Sequence, residues 1–142
     1  MDTKSYVGIQ HYDGSIECIY VHAGVEINSL GRILNKYYNT PEIVCKLIKD
    51  GSCMCINPYP SYDNIIHIPS ILVENTFNFF TKGRGEINYY YLYANNIWYV
   101  MNDHFTLPFP KKLVDAISII ENDMMCDISD EILTNSIMNL TL

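Results

Sequence analysis

Nowhere in this chain do apolar residues run long enough to cross a membrane. A spanning helix needs about 18 or more in succession, and every apolar stretch here is broken well short of that. The opening MDTKSYVGIQ also lacks the basic and then apolar plan of a secretion signal, so a cytoplasmic location is expected. Paired cysteines are lacking too: the count is five (Cys18, Cys45, Cys53, Cys55 and Cys126), which is odd and argues against a disulfide framework. Reduced thiols packed as small apolar groups are the expectation. Basic residues are few, nine Lys and Arg against sixteen Asp and Glu, and from Leu113 onward there are none. That last stretch holds six acids (Asp115, Glu121, Asp123, Asp127, Asp130 and Glu131), whereas the residues before it carry ten acids against nine bases. Binding to a nucleic-acid backbone needs a basic stripe to displace counterions, so no direct nucleic-acid partner is expected. Internal repeats, low-complexity tracts and domain boundaries are likewise absent, and 142 residues fit one domain, 1–142.

What is present reads as an α+β fold: an antiparallel sheet built from two β-hairpins and covered by helices. Tyr6 to Gln10 and Ile16 to His22 flank Asp13-Gly14, which suits a two-residue type I′ turn. Counting outward from that turn pairs Ile9 with Cys18 and Val7 with Tyr20. Tyr89 to Tyr93 and Ile97 to Met101 flank Asn95-Asn96, placing Tyr93 opposite Trp98 and Tyr91 opposite Val100. Apolar spacing predicts a helix from Ile27 to Tyr38. A second runs from the cap Thr40 and Pro41 to the stop Gly51, burying Ile43, Val44, Leu47 and Ile48. Short strands are expected at Cys53 to Ile56 and Ile65 to Ile68. SILVENTFNFF is read as a helix capped by Ser70, with a strand as the alternative. Helices are expected through KKLVDAISIIEN and again from Asp130, capped by Ser129.

Four features bear on chemistry. His22, at the end of a strand, has the type and place of a base or ligand. Equally, it can finish a strand by bonding a carbonyl, and no partner is set by sequence to complete a triad. Cys53-Met54-Cys55 with His67 matches zinc spacing poorly, since one residue separates the thiols where two to four are usual; no metal, cofactor or catalytic residue is assigned. Lys82-Gly83-Arg84-Gly85-Glu86 holds an arginine between glycines, a form that presents the guanidinium fork to a carboxylate or phosphate. The plainer reading is a turn whose Arg84 pairs with Glu86. The late acids Asp123, Asp127, Asp130 and Glu131 make either a solvated helix face or a set of carboxylates mimicking nucleic-acid phosphates before a basic groove of another protein. The twelve tyrosines are expected to divide between core and interface.

Taken together, YVGIQHYDGSIECIYVH, GRILNKYYNTPEIVCKLIKDGS, the GRGE segment and the IWYV strand resemble a family of small proteins encoded by bacteriophages and prophages. The resemblance covers the first half and the second hairpin, not the acidic C-terminal stretch. Asp13, Gly14, Tyr20, His22, Gly31, Tyr38, Gly83, Arg84, Gly85, Glu86 and Trp98 fall on family positions. Where members carry an aromatic-Asp-Gly-Tyr sequence after the histidine, this chain has Ala23-Gly24-Val25-Glu26, so a site dependent on that aspartate is missing. Members are mostly of unassigned function. The resemblance implies a mobile-element protein acting in a host cell. By analogy in size, charge and lack of catalytic signature, it implies an anti-CRISPR inhibitor, non-enzymatic, that binds a host defence effector and blocks its nucleic-acid surface. Its partner-binding residues would be Arg84, Glu86, Asp123, Asp127, Asp130 and Glu131. The alternative is a protein that sequesters a nucleotide signal in a pocket lined by His22 and Arg84. Oligomeric state is left open.

Overall fold

The computed structural model describes residues 3–58, 68–102 and 109–122. The elements are β1 (Ser5–Gln10), β2 (Ile16–Val21), a π-helical turn (Ile27–Gly31), α1 (Arg32–Tyr37), α2 (Pro41–Lys49), β3 (Ile71–Val73), α3 (Thr76–Thr81), β4 (Tyr89–Ala94), β5 (Ile97–Asn102) and β6 (Lys111–Lys112). A last helix, α4, occupies 113–122. The strands form one sheet in the order β3-β2-β1-β4-β5-β6. The α+β class and both hairpins are as expected, with one addition: the hairpins join through a parallel pairing of β1 with β4, so the sheet is mixed. The crossover that a parallel pair requires is supplied by the long connection containing α1 and α2.

The second hairpin has the anticipated register, Tyr93 opposite Trp98 and Tyr91 opposite Val100. Asn95 and Asn96 both take positive φ (51° and 64°), as a type I′ turn demands. The first hairpin differs. Gly14 alone takes positive φ there (87°). Its amide donates to His11 O at 3.0 Å while the His11 amide donates to Ser15 O at 2.8 Å. Asp13 keeps negative φ because its carboxylate accepts from the Ser15 amide at 2.9 Å and from the Ser15 hydroxyl. The connection therefore spans residues 11–15, a type I turn closed by a glycine bulge. The pairing shifts by one, to Val7 with Ile19 and Ile9 with Glu17. That single step moves every β2 side chain to the opposite face from the one expected.

On one face of the sheet Val7, Ile9, Ile19, Val21, Tyr91, Tyr93, Trp98 and Val100 pack under Leu30, Leu34, Val44, Ile48, Leu113, Ala116 and Ile117. The polar ends of its aromatics are satisfied by main chain: Tyr91 donates to Val25 O and the Trp98 indole to Tyr38 O, each at 2.7 Å. Helix α2 starts as read, its Thr40 hydroxyl accepting from the Ile43 amide at 3.4 Å, and Val44 and Ile48 are buried. Ile43, expected inside, is exposed.

The other face carries a second, smaller buried cluster. There Ile16, Cys18, Ile87, Tyr90, Leu92, Ala94 and Met101 gather around Phe79 of α3. The segment read as one helix from Ser70 divides: Ile71–Val73 extends as edge strand β3 against β2, and α3 begins after Asn75, whose side chain accepts from the Asn78 amide at 2.8 Å. In place of a strand at Cys53 there is a single parallel bridge to Val21. The Ile65-led strand falls, Ile68 aside, outside the described residues, as does the Asp130 helix. No helix among the described residues is long and apolar enough to cross a membrane.

Candidate functional site

Helix α3 is six residues long, and its Phe79 is fully buried against the second face. Between α3 and the residues ahead of β6 the sheet side chains Leu92, Ala94 and Met101 are 3 %, 7 % and 6 % exposed. A groove of about 600 Å³ lies there. Its floor is Leu92, Ala94, Tyr99 and Met101. One bank is Phe77, Phe80 and Arg84 from α3 and the turn after it, and the other is Phe109 and Pro110 ahead of β6. Sequence spacing on α3 explains the first bank. Phe77 and Phe80, three residues apart, stand on one side of the helix, while Phe79 turns to the sheet, its ring 5.9 Å from that of Tyr90. Phe77 and Phe109 are 73 % and 78 % exposed, two large aromatics standing in water on facing banks. Such a pair is an uncommon use of apolar surface unless something covers it.

Among the described residues, Arg84 is the one charged residue lining the groove. The turn that carries it uses Gly83 and Gly85 at positive φ (64° and 93°), and the Ile87 amide donates back to Gly83 O at 3.1 Å. The glycines thus do what the sequence suggests, turning the chain sharply and setting Arg84 on its outside. The Tyr6 hydroxyl pKa is raised chiefly by burial and secondarily by Cys18, Tyr20 and Glu86. The Lys82 ammonium lies 5.6 Å from the same Tyr6 ring. Across the groove, Lys112 of β6 is paired with Tyr99, which places it on the groove's side of the sheet. A cation therefore flanks each bank.

His22 is not part of the groove. It follows β2, its amide near the carbonyls of Cys53 and Met54 at 3.3 and 3.2 Å, and its ring packs edge-on to Tyr20 at 4.2 Å. The Nε2 atom is buried without a hydrogen-bond partner among the described residues. Burial, and then the charge of Lys4, hold its pKa below the usual histidine value. His22 thus finishes a strand, and among the described residues it does not line the groove that Arg84 lines. Burial pushes the Cys18 and Cys53 thiols up to about 12, far from the range in which a thiolate reacts or binds metal. His67 lies outside the described residues, within which no group of three metal-ligating side chains occurs.

Asp123, Asp127, Asp130 and Glu131 also lie outside the described residues. The described residues themselves hold nine acids and all nine bases, so their formal charge is zero. The whole excess of seven comes from Asp2, Asp63, Asp103 and those four. Tyrosine exposure differs from expectation: of the ten tyrosines described, only Tyr12 is exposed, because most face inward along the strands or bond main-chain carbonyls. The exposed aromatics are phenylalanines instead. Phe77, Phe109, Tyr99 and Met101 were not singled out from sequence; the usable signal was Phe77 and Phe80 at helical spacing with no second apolar stripe to meet them. No family model, curated protein or solved structure matches this chain.

Proposed function

We propose that this protein is a non-catalytic binding protein of phage or prophage origin that inhibits a bacterial defence system, most specifically an anti-CRISPR inhibitor that seats on an effector and blocks its nucleic-acid surface. The observation that carries the binding role is the aromatic-banked groove beside Arg84: an apolar floor, two exposed phenylalanines and a cation form the pattern of an anchor pocket in a protein interface. Charge supports the direction of inhibition. The described residues are neutral and the chain as a whole is at −7, so the excess negative charge, Asp123, Asp127, Asp130 and Glu131 included, supplies a second contact that steers the protein toward a basic surface. The chemistry of the buried groups agrees with binding over turnover. The Cys18 and Cys53 thiols are held protonated, and the buried tyrosine hydroxyls are spent on carbonyls.

The test is interference in cells. Bacteria carrying defined CRISPR effector systems are challenged with a targeted phage, with and without this protein, and plating efficiency is counted. Purified effector is assayed in parallel for binding of its target DNA. Restored plating together with reduced DNA binding is expected, and reversing Asp123, Asp127 and Asp130 to Lys should weaken the inhibition and flatten its salt dependence. Unchanged plating and unchanged DNA binding across the effector types would remove the proposal.

A further inference from the structure

We infer that the cleft between the two hairpin turns is a second binding site, and that it takes an uncharged, polyhydroxylated ring, a saccharide. Topology opens this cleft. Strands β1 and β4 run parallel with Ile9 beside Tyr93, so both finish at the same end of the sheet. From there one chain turns away toward β2 and the other toward β5, on opposite sides in the order β3-β2-β1-β4-β5-β6. Parallel strands whose chains leave in opposite directions part from one another, and the crevice off their carboxyl ends is where such sheets take ligands. Here the crevice measures about 560 Å³ and is lined by Ile9 and Tyr93 of the strands and by Pro41 and Cys45 of α2. Its rim stands open: Tyr12 is fully exposed, and Asn95, Asn96 and Pro41 are exposed as well.

The lining selects the chemistry of the ligand. Its polar side chains are the amides of Gln10, Asn95 and Asn96, the phenols of Tyr12 and Tyr93 and the imidazole of His11, and among the described residues no Asp, Glu, Lys or Arg lines it. The acids nearest in sequence are already engaged. Asp13 accepts from the Ser15 amide and hydroxyl, and Glu17 accepts from the Ser70 hydroxyl and lies 3.1 Å from His11 Nε2. An anion therefore meets no cation in the cleft, and a hydrocarbon would strip water from three amides and give nothing back. Those amides are unspent: the side chains of Gln10, Asn95 and Asn96 make no hydrogen bond among the described residues. Nor does the turn need them, since glycine meets its demand for positive φ at no steric cost. Each amide offers two donors and an acceptor, the complement of neighbouring hydroxyls that both give and accept. The open Tyr12 ring adds a flat apolar plate for the C–H face of a sugar, completing the mix of aromatic surface and a few convergent polar groups that small-molecule sites show.

The test follows the side-chain amide signals of Gln10, Asn95 and Asn96 by nuclear magnetic resonance in the full-length, isotope-labelled protein. It is titrated with maltose, cellobiose and N,N′-diacetylchitobiose, and with adenosine monophosphate, spermidine and decanoate as anionic, cationic and apolar counterparts. At least one disaccharide should shift these amides saturably, with a Kd at or below about 10 mM, and the counterparts should not. Tyr12→Ser, at a fully exposed position, and Asn96→Gly, which keeps the positive φ of the turn, should each weaken that binding at least about threefold. The urea midpoint of Tyr12→Ser should match the parent's. The inference is overturned by no saturable shift with any of the disaccharides up to about 50 mM, by saturable binding of a counterpart at the same amides, or by disaccharide binding that either variant leaves intact. None of these outcomes touches the inhibitory reading, which the plating assay decides by itself.

Discussion

Replacing Gly8 with alanine tests whether the close seating of α3 on the sheet holds the groove in shape. A methyl built on Gly8 lies 2.8 Å from Ile16 Cγ2, 3.1 Å from Cys18 Cβ and 3.1 Å from Phe79 Cε1. Carbon pairs are at their best at about 3.5–4.0 Å. Two of these neighbours cannot step aside: Cys18 Cβ is fixed to the backbone of β2, and Ile16 is β-branched with a stiff first torsion. The Phe79 ring edge must yield, and α3 with it. Overpacking of this kind costs about 1–3 kcal/mol. Removing a glycine's freedom from the unfolded chain returns roughly 0.4–1 kcal/mol, leaving a net loss of about 1–2 kcal/mol. For a chain of this size that is a fall of about 3–8 °C in Tm. Urea and thermal unfolding of Gly8→Ala measure it directly. Adding Phe79→Leu removes the ring edge and should recover part of the loss, a coupling of about 0.5 kcal/mol or more. A Gly8→Ala protein as stable as the parent, or a double variant whose losses simply add, would refute the reasoning.

Three other outcomes are expected. Tyr91→Phe removes the donor to Val25 O, a bond of 2.7 Å at a fully buried ring, and should cost about 1–2 kcal/mol in urea unfolding; an unchanged midpoint would mean the carbonyl finds another donor. With their pKa values pushed up to about 12, Cys18 and Cys53 should resist iodoacetamide at about pH 8 in the native protein and label fully in urea, as read by peptide mass spectrometry. Native labelling at the rate of a free thiol would contradict their burial. Because the His22 pKa is lowered in the folded protein, the unfolded chain takes up that proton first as pH falls below about 6.5. Stability should therefore decline with acidification from there down through the folded value. His22→Gln should flatten this part of the urea-midpoint profile, and an identical slope in the variant would count against the assignment.

The parts of this fold that a sequence reader can see are those decided by neighbours in the chain. Asn95-Asn96 sets the second hairpin because both asparagines take the positive φ that its two-residue turn demands. Asp13-Gly14 gives the same signal and misleads, because Ser15 offers the Asp13 carboxylate two hydrogen bonds that hold Asp13 out of positive φ. Thr40, Pro41 and Gly51 bound α2 correctly. Ile71–Val73 is extended because the β2 edge is there to pair with it, a reason lying some fifty residues away, as with the Ser70 to Glu17 hydrogen bond at a separation of 53. The same distinction governs the site. Arg84 is legible from its two glycines. The groove is not, because its walls come from α3, the second hairpin and the stretch before β6, and only sheet pairing brings them together.

The parallel seam between β1 and β4 gives this protein an order of birth. The Lys4 amide waits for the side chain of Asn88, 84 residues later and 3.0 Å away in the finished fold, and Ser5 to Ile9 wait for Tyr89 to Tyr93. On a ribosome the first hairpin emerges early, yet one margin of β1 stays open until the second has left the exit tunnel. During that interval an unpaired strand is offered to any passing chain. A translation product halted before Tyr89 is thus a sticky fragment, and closure of the sheet is slow in the way distant pairings are.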